Sequence, residues 1–166
     1  MKSFSKGLFK AVCNNPDGSI AWEESFSNGT TDQGRTLGLN NIFTGSTQSA
    51  SWFIGLISTT SFSALSTLDT AATHSGWVES TEYNETTRRQ WNPGAPVSSA
   101  GTTTMTSSAA LVFTASTSVS IKGAFIATAS AKNSTAGVLW ATGTFVSDQT
   151  LIAGQTISIT YQTSLT

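Results

Sequence analysis

Charge is what this chain has least of. Of its 166 residues only 10% are Asp, Glu, Lys or Arg, and the formal net charge is −1. No basic surplus steers it toward nucleic acid or an anionic membrane surface, so neither is expected as a partner. Cys13 is the only cysteine, which excludes an intrachain disulfide and a thiolate metal cluster. His74 is the only histidine, which excludes a two-histidine zinc motif within one chain. No apolar run approaches the ~18 residues of a membrane span. Lys2, Lys6 and Lys10 interrupt the start of the chain, so no secretory signal is read there and synthesis in a reducing cytoplasm is expected.

Hydroxyl groups take the place of charge. There are 26 Ser and 28 Thr, together 54 of the 166 residues. Thr suits strands because its branched Cβ packs well on a pleated surface. Hydroxyls also keep a surface wet without repulsion between neighbours, which suits a chain displayed many times on an assembly. The length favours one domain, spanning residues 1–166. A chain of that size hides roughly 70% of its extended surface, enough for a substantial core.

The order of signals along the chain is that of an all-β protein. Phe4, Leu8, Phe9 and Val12 precede the turn sequence Asn14-Asn15-Pro16-Asp17-Gly18, and Ile20, Trp22 and Phe26 follow it, which predicts a hairpin. Residues 1–12, basic through Lys2, Lys6 and Lys10, read either as an extended N-terminal arm or as an edge strand. Thr31 or Asp32 can cap one short helix containing Leu37, Asn40, Asn41 and Ile42, weakened by Gly34 and Gly38. Residues 50–58, ASWFIGLIS, are a continuous apolar run of strand length and read as a buried central strand. Residues 61–76 read as an irregular loop. From Ala100 onward strand signals recur with turns between them. Leu111 and Phe113 share one phase; so do Val119, Ile121 and Phe125, and Ile157, Ile159 and Tyr161. With no long helix between strands, the sheets should be antiparallel. The expectation is a β-sandwich, jelly-roll or immunoglobulin-like, of about eight strands with one short helix.

Recognisable catalytic patterns are missing. There is no G-x-S-x-G elbow, no G-x-x-x-x-G-K-[ST] and no G-x-G-x-x-G. A triad built on His74 and Asp69 is formally possible, but a lone His in a Ser/Thr-rich loop is expected to be structural. No cofactor, metal or enzymatic activity is expected. The one dense cluster of charge is residues 80–96, STEYNETTRRQWNPGAP. Glu79, Glu82, Glu85, Arg88 and Arg89 crowd there, with Tyr83 and Trp91 among them and Trp77 just before. Three glutamates could make a hydrolase pair or a cation site. Two arginines beside them point instead to ion pairs with a fixed partner, in this chain or in a neighbour. Trp52 and Trp140 lie in apolar strands and are expected in the core. Trp77 and Trp91 flank the charges and are expected at an interface, together with the charged residues of the stretch and the three N-terminal lysines. Five tryptophans in so small a domain predict an oligomer, a homotrimer or a dimer.

The segments LNNIFTGSTQSASWFIGLIS, HSGWVESTEYNETTRRQW and TLIAGQTISITY, with the strands between them, resemble small virion structural proteins of tailed bacteriophages. That group includes capsid decoration (cement) proteins and head or tail appendages, and the likeness runs from about Thr31 to the end. The resemblance implies a non-enzymatic protein of the virion, on the capsid surface. Its partners would be copies of itself and the major capsid protein, whose subunits it would bridge. The alternative it leaves open is an appendage that binds a host receptor or a carbohydrate.

Overall fold

The computed structural model describes residues 6–47 and 51–166. Lys2 and Phe4, and Ala50 of the central strand, lie outside the described residues. Among the described residues, eleven strands and one helix follow in chain order: β1 (Lys6–Asn14), β2 (Ile20–Thr30), α1 (Asp32–Phe43), β3 (Trp52–Ser58), β4 (Glu79–Ser80), β5 (Arg89–Trp91), β6 (Val97–Ser99), β7 (Thr102–Thr106), β8 (Leu111–Thr114), β9 (Val119–Ala127), β10 (Leu139–Leu151) and β11 (Thr156–Leu165). All pairings are antiparallel. The fold is an all-β sandwich-like one with a single short helix. Its strand count exceeds the expected eight because β4, β5 and β6 are only two or three residues long, too short for alternation to reveal.

The strand path runs β4-β3-β9-β10-β2-β1-β11-β7-β6, with β5 added beside β3 and β8 beside β11. β2 is the corner. Gly7–Cys13 of β1 lie along Asn28–Trp22 of β2 in continuous register, while Gly29 and Thr30 at its far end pair with Thr142 and Ala141 of β10. The path thereby folds back on itself, and the inward phases of both halves meet. Phe9, Ala11 and Cys13 of β1 and Ile157, Ile159 and Tyr161 of β11 face Ile54 and Leu56 of β3, with Phe26, Ile121 and Phe145 between them. Gly18, at φ +86°, closes the β1–β2 turn with a backbone conformation that side chains disfavour.

Lys6–Val12 are neither an arm nor an edge strand. β1 is paired on both sides, to β2 and to β11, because Phe9 and Ala11 sit at zero exposure in the core while Lys6 and Lys10 alternate outward. β3 is apolar in both phases for a different reason. Ile54 and Leu56 enter the main core, and Ile57 on the opposite face enters a second cluster with Trp77, Phe125, Ala127 and Leu139. The loop over residues 61–78 roofs that second cluster with Phe62 and Leu65.

The expected phase of β9 fails at one point. Ile121 lies in the main core but Phe125 lies in the second cluster. The register on β10 jumps from Thr144↔Gly123 to Gln149↔Ile121, and on β3 it shifts between Ile57 and Ser58. This bulge around Lys122 reverses the side-chain alternation, so Ala124 and Ile126 take over the inward phase.

α1 begins where the sequence places it. The Thr31 hydroxyl accepts a bond from Gly34 N at 3.0 Å, which caps the helix, and donates to Leu139 O at 2.5 Å, which ties it to β10. Gly34 marks close approach: a Cβ there would lie 2.5 Å from Trp140 O. The outer side of α1 stays open, with Leu39, Ile42 and Phe43 all exposed.

Candidate functional site

The charged stretch is a fastening inside the molecule. β4 pairs with Leu56 and Ile57 at one end of β3, and β5 pairs with Trp52, Phe53 and Ile54 at the other. Between them the chain crosses to the opposite half of the sandwich. Tyr83 bridges to Ala115, Asn84 N donates to Thr114 O at 2.9 Å, and the Glu85 carboxylate accepts from Thr114 N and Oγ1 at 3.1 and 3.2 Å. One excursion thus joins β3 to β8 along the side of the sandwich.

Its centre is a bidentate ion pair. Arg88 Nε donates to Glu79 Oε1 at 3.0 Å and Nη2 to Oε2 at 2.8 Å, with both side chains 4% exposed or less. The remaining capacity of each group is largely engaged. Asn133 N donates to Glu79 Oε2 at 2.6 Å, and Arg88 Nη1 donates to Ala129 O at 3.0 Å. The guanidinium carbon also stands 4.9 Å above the Phe125 ring. Buried charges tolerate desolvation only when so completely satisfied.

A second cation completes the cluster. Lys132 Nζ donates to Thr81 O at 3.0 Å and Tyr83 O at 2.8 Å and lies 3.7 Å from the Tyr83 ring centre. Its loss of water lowers its pKa from the usual lysine range, against the pull of Glu85, Glu79 and Glu82. Burial, reinforced by the charge of Glu79, pushes the Tyr83 phenol well above the ordinary tyrosine value. Its hydroxyl has no hydrogen-bond partner among the described residues.

No protein-family model matches the chain, and no curated protein does. The site is therefore read from its own geometry.

That geometry separates the residues expected to form one interface. Glu79, Arg88, Tyr83, Trp77 and Trp91 are all buried. They were expected outside because charge and aromatics cluster there in the sequence. They lie inside because each finds its partners within the chain: Trp77 between His74 and Phe125, Trp91 against Tyr161, Tyr83 against Phe113. Arg89 and Glu85 are half-buried, and Glu82 is exposed. On the surface Lys10 pairs with Glu23 at 3.5 Å, and Lys6 is exposed at the start of β1. Trp52 and Trp140, expected in the core, are only partly buried and pack edge-on to each other at 5.6 Å. The excess of tryptophan surface that motivated the oligomer is thus taken up mostly within the chain.

The three glutamates diverge. Glu79 turns to Arg88, Glu85 to Thr114, and Glu82 to solvent. Among the described residues no three His, Cys, Asp or Glu side chains stand together as a metal set. Asp69 and His74 are not joined either. Asp69 Oδ2 accepts from Trp77 Nε1 at 3.0 Å, and His74 Nδ1 lies 3.0 Å from Trp77 O. A carbonyl only accepts, so that ring nitrogen carries the proton. A cavity of about 440 Å³ opens beside this group, with His74, Trp77, Glu79, Arg88 and Ser134 among its walls. Its polar wall is the ion pair already described, fastened on both sides.

A different surface went unnoticed in the sequence. Between α1 and the β6–β7–β11 edge lies an open groove of about 330 Å³, lined by Ile42, Pro96, Met105, Trp140 and Leu165 with Gly38 and three hydroxyl side chains. No charged residue lines it. The sequence placed Leu37, Asn40, Asn41 and Ile42 within a short helix, with no signal that Leu39, Ile42 and Phe43 would face outward.

Proposed function

We propose that this protein is a non-enzymatic structural component of a bacteriophage virion, a decoration protein that binds the outside of the capsid and bridges major capsid protein subunits. The observation that carries the reading is the inversion of polarity between the two regions above. In the charged segment Glu79 and Arg88 are turned inward and fastened to each other, while on α1 Leu39, Ile42 and Phe43 are turned outward. That arrangement serves contact. The sequence resemblance to small virion proteins supports the same reading, as does a surface that can be repeated on a lattice without crowding like charges.

A lattice multiplies modest contacts by valency. Binding to the assembled shell and not to free subunits then stabilises the shell by mass action. The test compares particles with and without this protein, made by deleting its gene, in a thermal genome-release assay. Release at a lower temperature from the deleted particles is expected. Equal release temperatures, together with loss of adsorption to the host cell, would replace this reading with that of a receptor- or carbohydrate-binding appendage.

A further inference from the structure

Nothing in the fold asks for glycine at position 29. Its φ lies outside the left-handed region, and a Cβ built there meets no atom of the described residues within 4 Å beyond its own chain neighbours. A glycine inside a strand weakens it, and here neither a turn nor a close approach requires one. Its neighbour gives it chemical meaning: Asn28–Gly29 is the one Asn-Gly pair in the sequence. An asparagine followed by glycine is the pair most prone to lose its side-chain amide, because no side chain shields the backbone nitrogen that attacks it.

The reaction needs no reagent but solvent. The Gly29 nitrogen gives up its proton to a base in solution and attacks Asn28 Cγ. The Cγ–Nδ2 bond breaks, ammonia leaves carrying a proton from solvent, and a cyclic succinimide remains. Water then adds across one of the carbonyl–nitrogen bonds of the ring and leaves either aspartate or its β-linked isomer. Nothing is oxidised or reduced, and water is the sole co-reactant.

The folded chain holds these atoms apart. Asn28 lies opposite Gly7 of β1 and Gly29 opposite Thr142 of β10, so β2 is extended through both residues. Ring closure needs the Gly29 nitrogen to swing over to the side-chain face, which extended backbone does not allow. The amide itself is also held. Its Nδ2 donates to the Tyr161 hydroxyl at 3.1 Å, and its Oδ1 is enclosed against Gly7, where it leaves no room for a Cβ.

We infer that Asn28–Gly29 is a deamidation site that folding seals, so that a chain left unfolded loses the Asn28 amide while a folded chain keeps it. Later folding does not repair the loss. A carboxylate at position 28 has no hydrogen to donate to Tyr161, and it sets a charge where the amide oxygen already finds no donor among the described residues. The β-linked isomer adds a backbone methylene at the point where β2 passes from β1 to β10. The pair thus acts as a timer on unfolded chains, and it does not depend on the virion reading.

Peptide mapping by mass spectrometry of the full chain, held at mildly alkaline pH in native buffer and in urea, tests it, with Gly29→Ala and Asn28→Asp as variants. The wild type is expected to deamidate at Asn28 ~100-fold or more faster in urea than in native buffer, since only the opened chain reacts. Gly29→Ala has space for its methyl group, so it is expected to fold with an unchanged or higher melting temperature and to deamidate more slowly in urea. Asn28→Asp is expected to melt about 5 °C or more below the wild type. Equal rates in urea and in native buffer would overturn the inference, as would an Asn28→Asp protein as stable as the wild type. So would a Gly29→Ala protein that is destabilised, because the fold would then require the glycine, or one that reacts in urea as fast as the wild type.

Discussion

The segment over residues 79–91 and the face of α1 are opposites. The first has the highest charge density in the chain and hides it: the Glu79 and Arg88 side chains are almost wholly enclosed. The second carries a single, mutually neutralising charge pair and leaves a phenylalanine largely in water. In a weakly charged protein, charge crowding thus marks where two halves of a sandwich are fastened. The quiet part of the sequence supplies the surface available to partners. A buried, hydrogen-bonded ion pair specifies one geometry at an energetic cost, whereas exposed apolar surface lowers free energy only when something covers it.

The largest effect should come from cutting the fastening. Arg88→Met leaves the Glu79 carboxylate enclosed without its cation, and urea unfolding should show a loss of about 3–5 kcal/mol. Adding Glu79→Leu to the same chain should recover most of that loss, since an apolar pair of similar bulk needs no desolvation. If Arg88→Met were neutral while association changed, the two regions would have exchanged roles.

Alkaline pH sharpens the comparison next. The chain has two tyrosines, and burial holds the Tyr161 phenol up at about 12 and shifts Tyr83 in the same direction. Both bear on the core and its fastening; neither lies on α1. A phenol whose folded pKa is raised keeps its contribution below the unfolded value near 10 and loses it as pH climbs toward the folded value. Stability should therefore fall between about pH 10 and 12, by roughly 2–3 kcal/mol for Tyr161 alone. Tyrosinate absorbance followed against the unfolding transition checks it. Ionisation near pH 10 in the folded protein would show that these rings are not enclosed.

A smaller effect tests the seat of α1. Helix propensity alone predicts that Gly34→Ala stabilises by about 1 kcal/mol. The 2.5 Å approach to Trp140 O predicts the reverse, a loss of about 1–3 kcal/mol from displaced backbone. Thermal unfolding of that variant decides between them, and a rise in melting temperature would mean that α1 sits further from β10.

Much of the fold was legible because its physics is local. The Pro16-Asp17-Gly18 turn, the Thr31 cap and the alternation of Ile157, Ile159 and Tyr161 each act within a few residues, and each is found where the sequence puts it. What was hidden depends on distant partners. Nothing near Lys122 announces the bulge that turns Phe125 to the second cluster, because it shows only against a distant strand: between Ile57↔Gly123 and Ser58↔Ile121 two residues of β9 stand against one of β3. The interior place of β1 was hidden because β11, one of its two partners, begins more than 140 residues later. The composition of the charged stretch was legible, and so was its likelihood of pairing, but not its direction. Ala129, Ser130 and Asn133, which receive or hold Arg88 and Glu79, are over 40 residues away and bear no mark of that task. The groove beside α1 was invisible for the same reason, being assembled from four separate elements.

Hydrogen exchange in the free protein tests most directly whether the charged segment is an internal fastening. The amide of Arg88 donates to Ser130 O, that of Asn84 to Thr114 O and that of Asn133 to Glu79. If the segment is part of the folded framework, these three amides should be protected nearly as strongly as those of β9 and should open only with global unfolding. Fast exchange there in the free protein, at the rate of an exposed loop, would contradict the account and return residues 79–91 to the surface as a segment awaiting a partner.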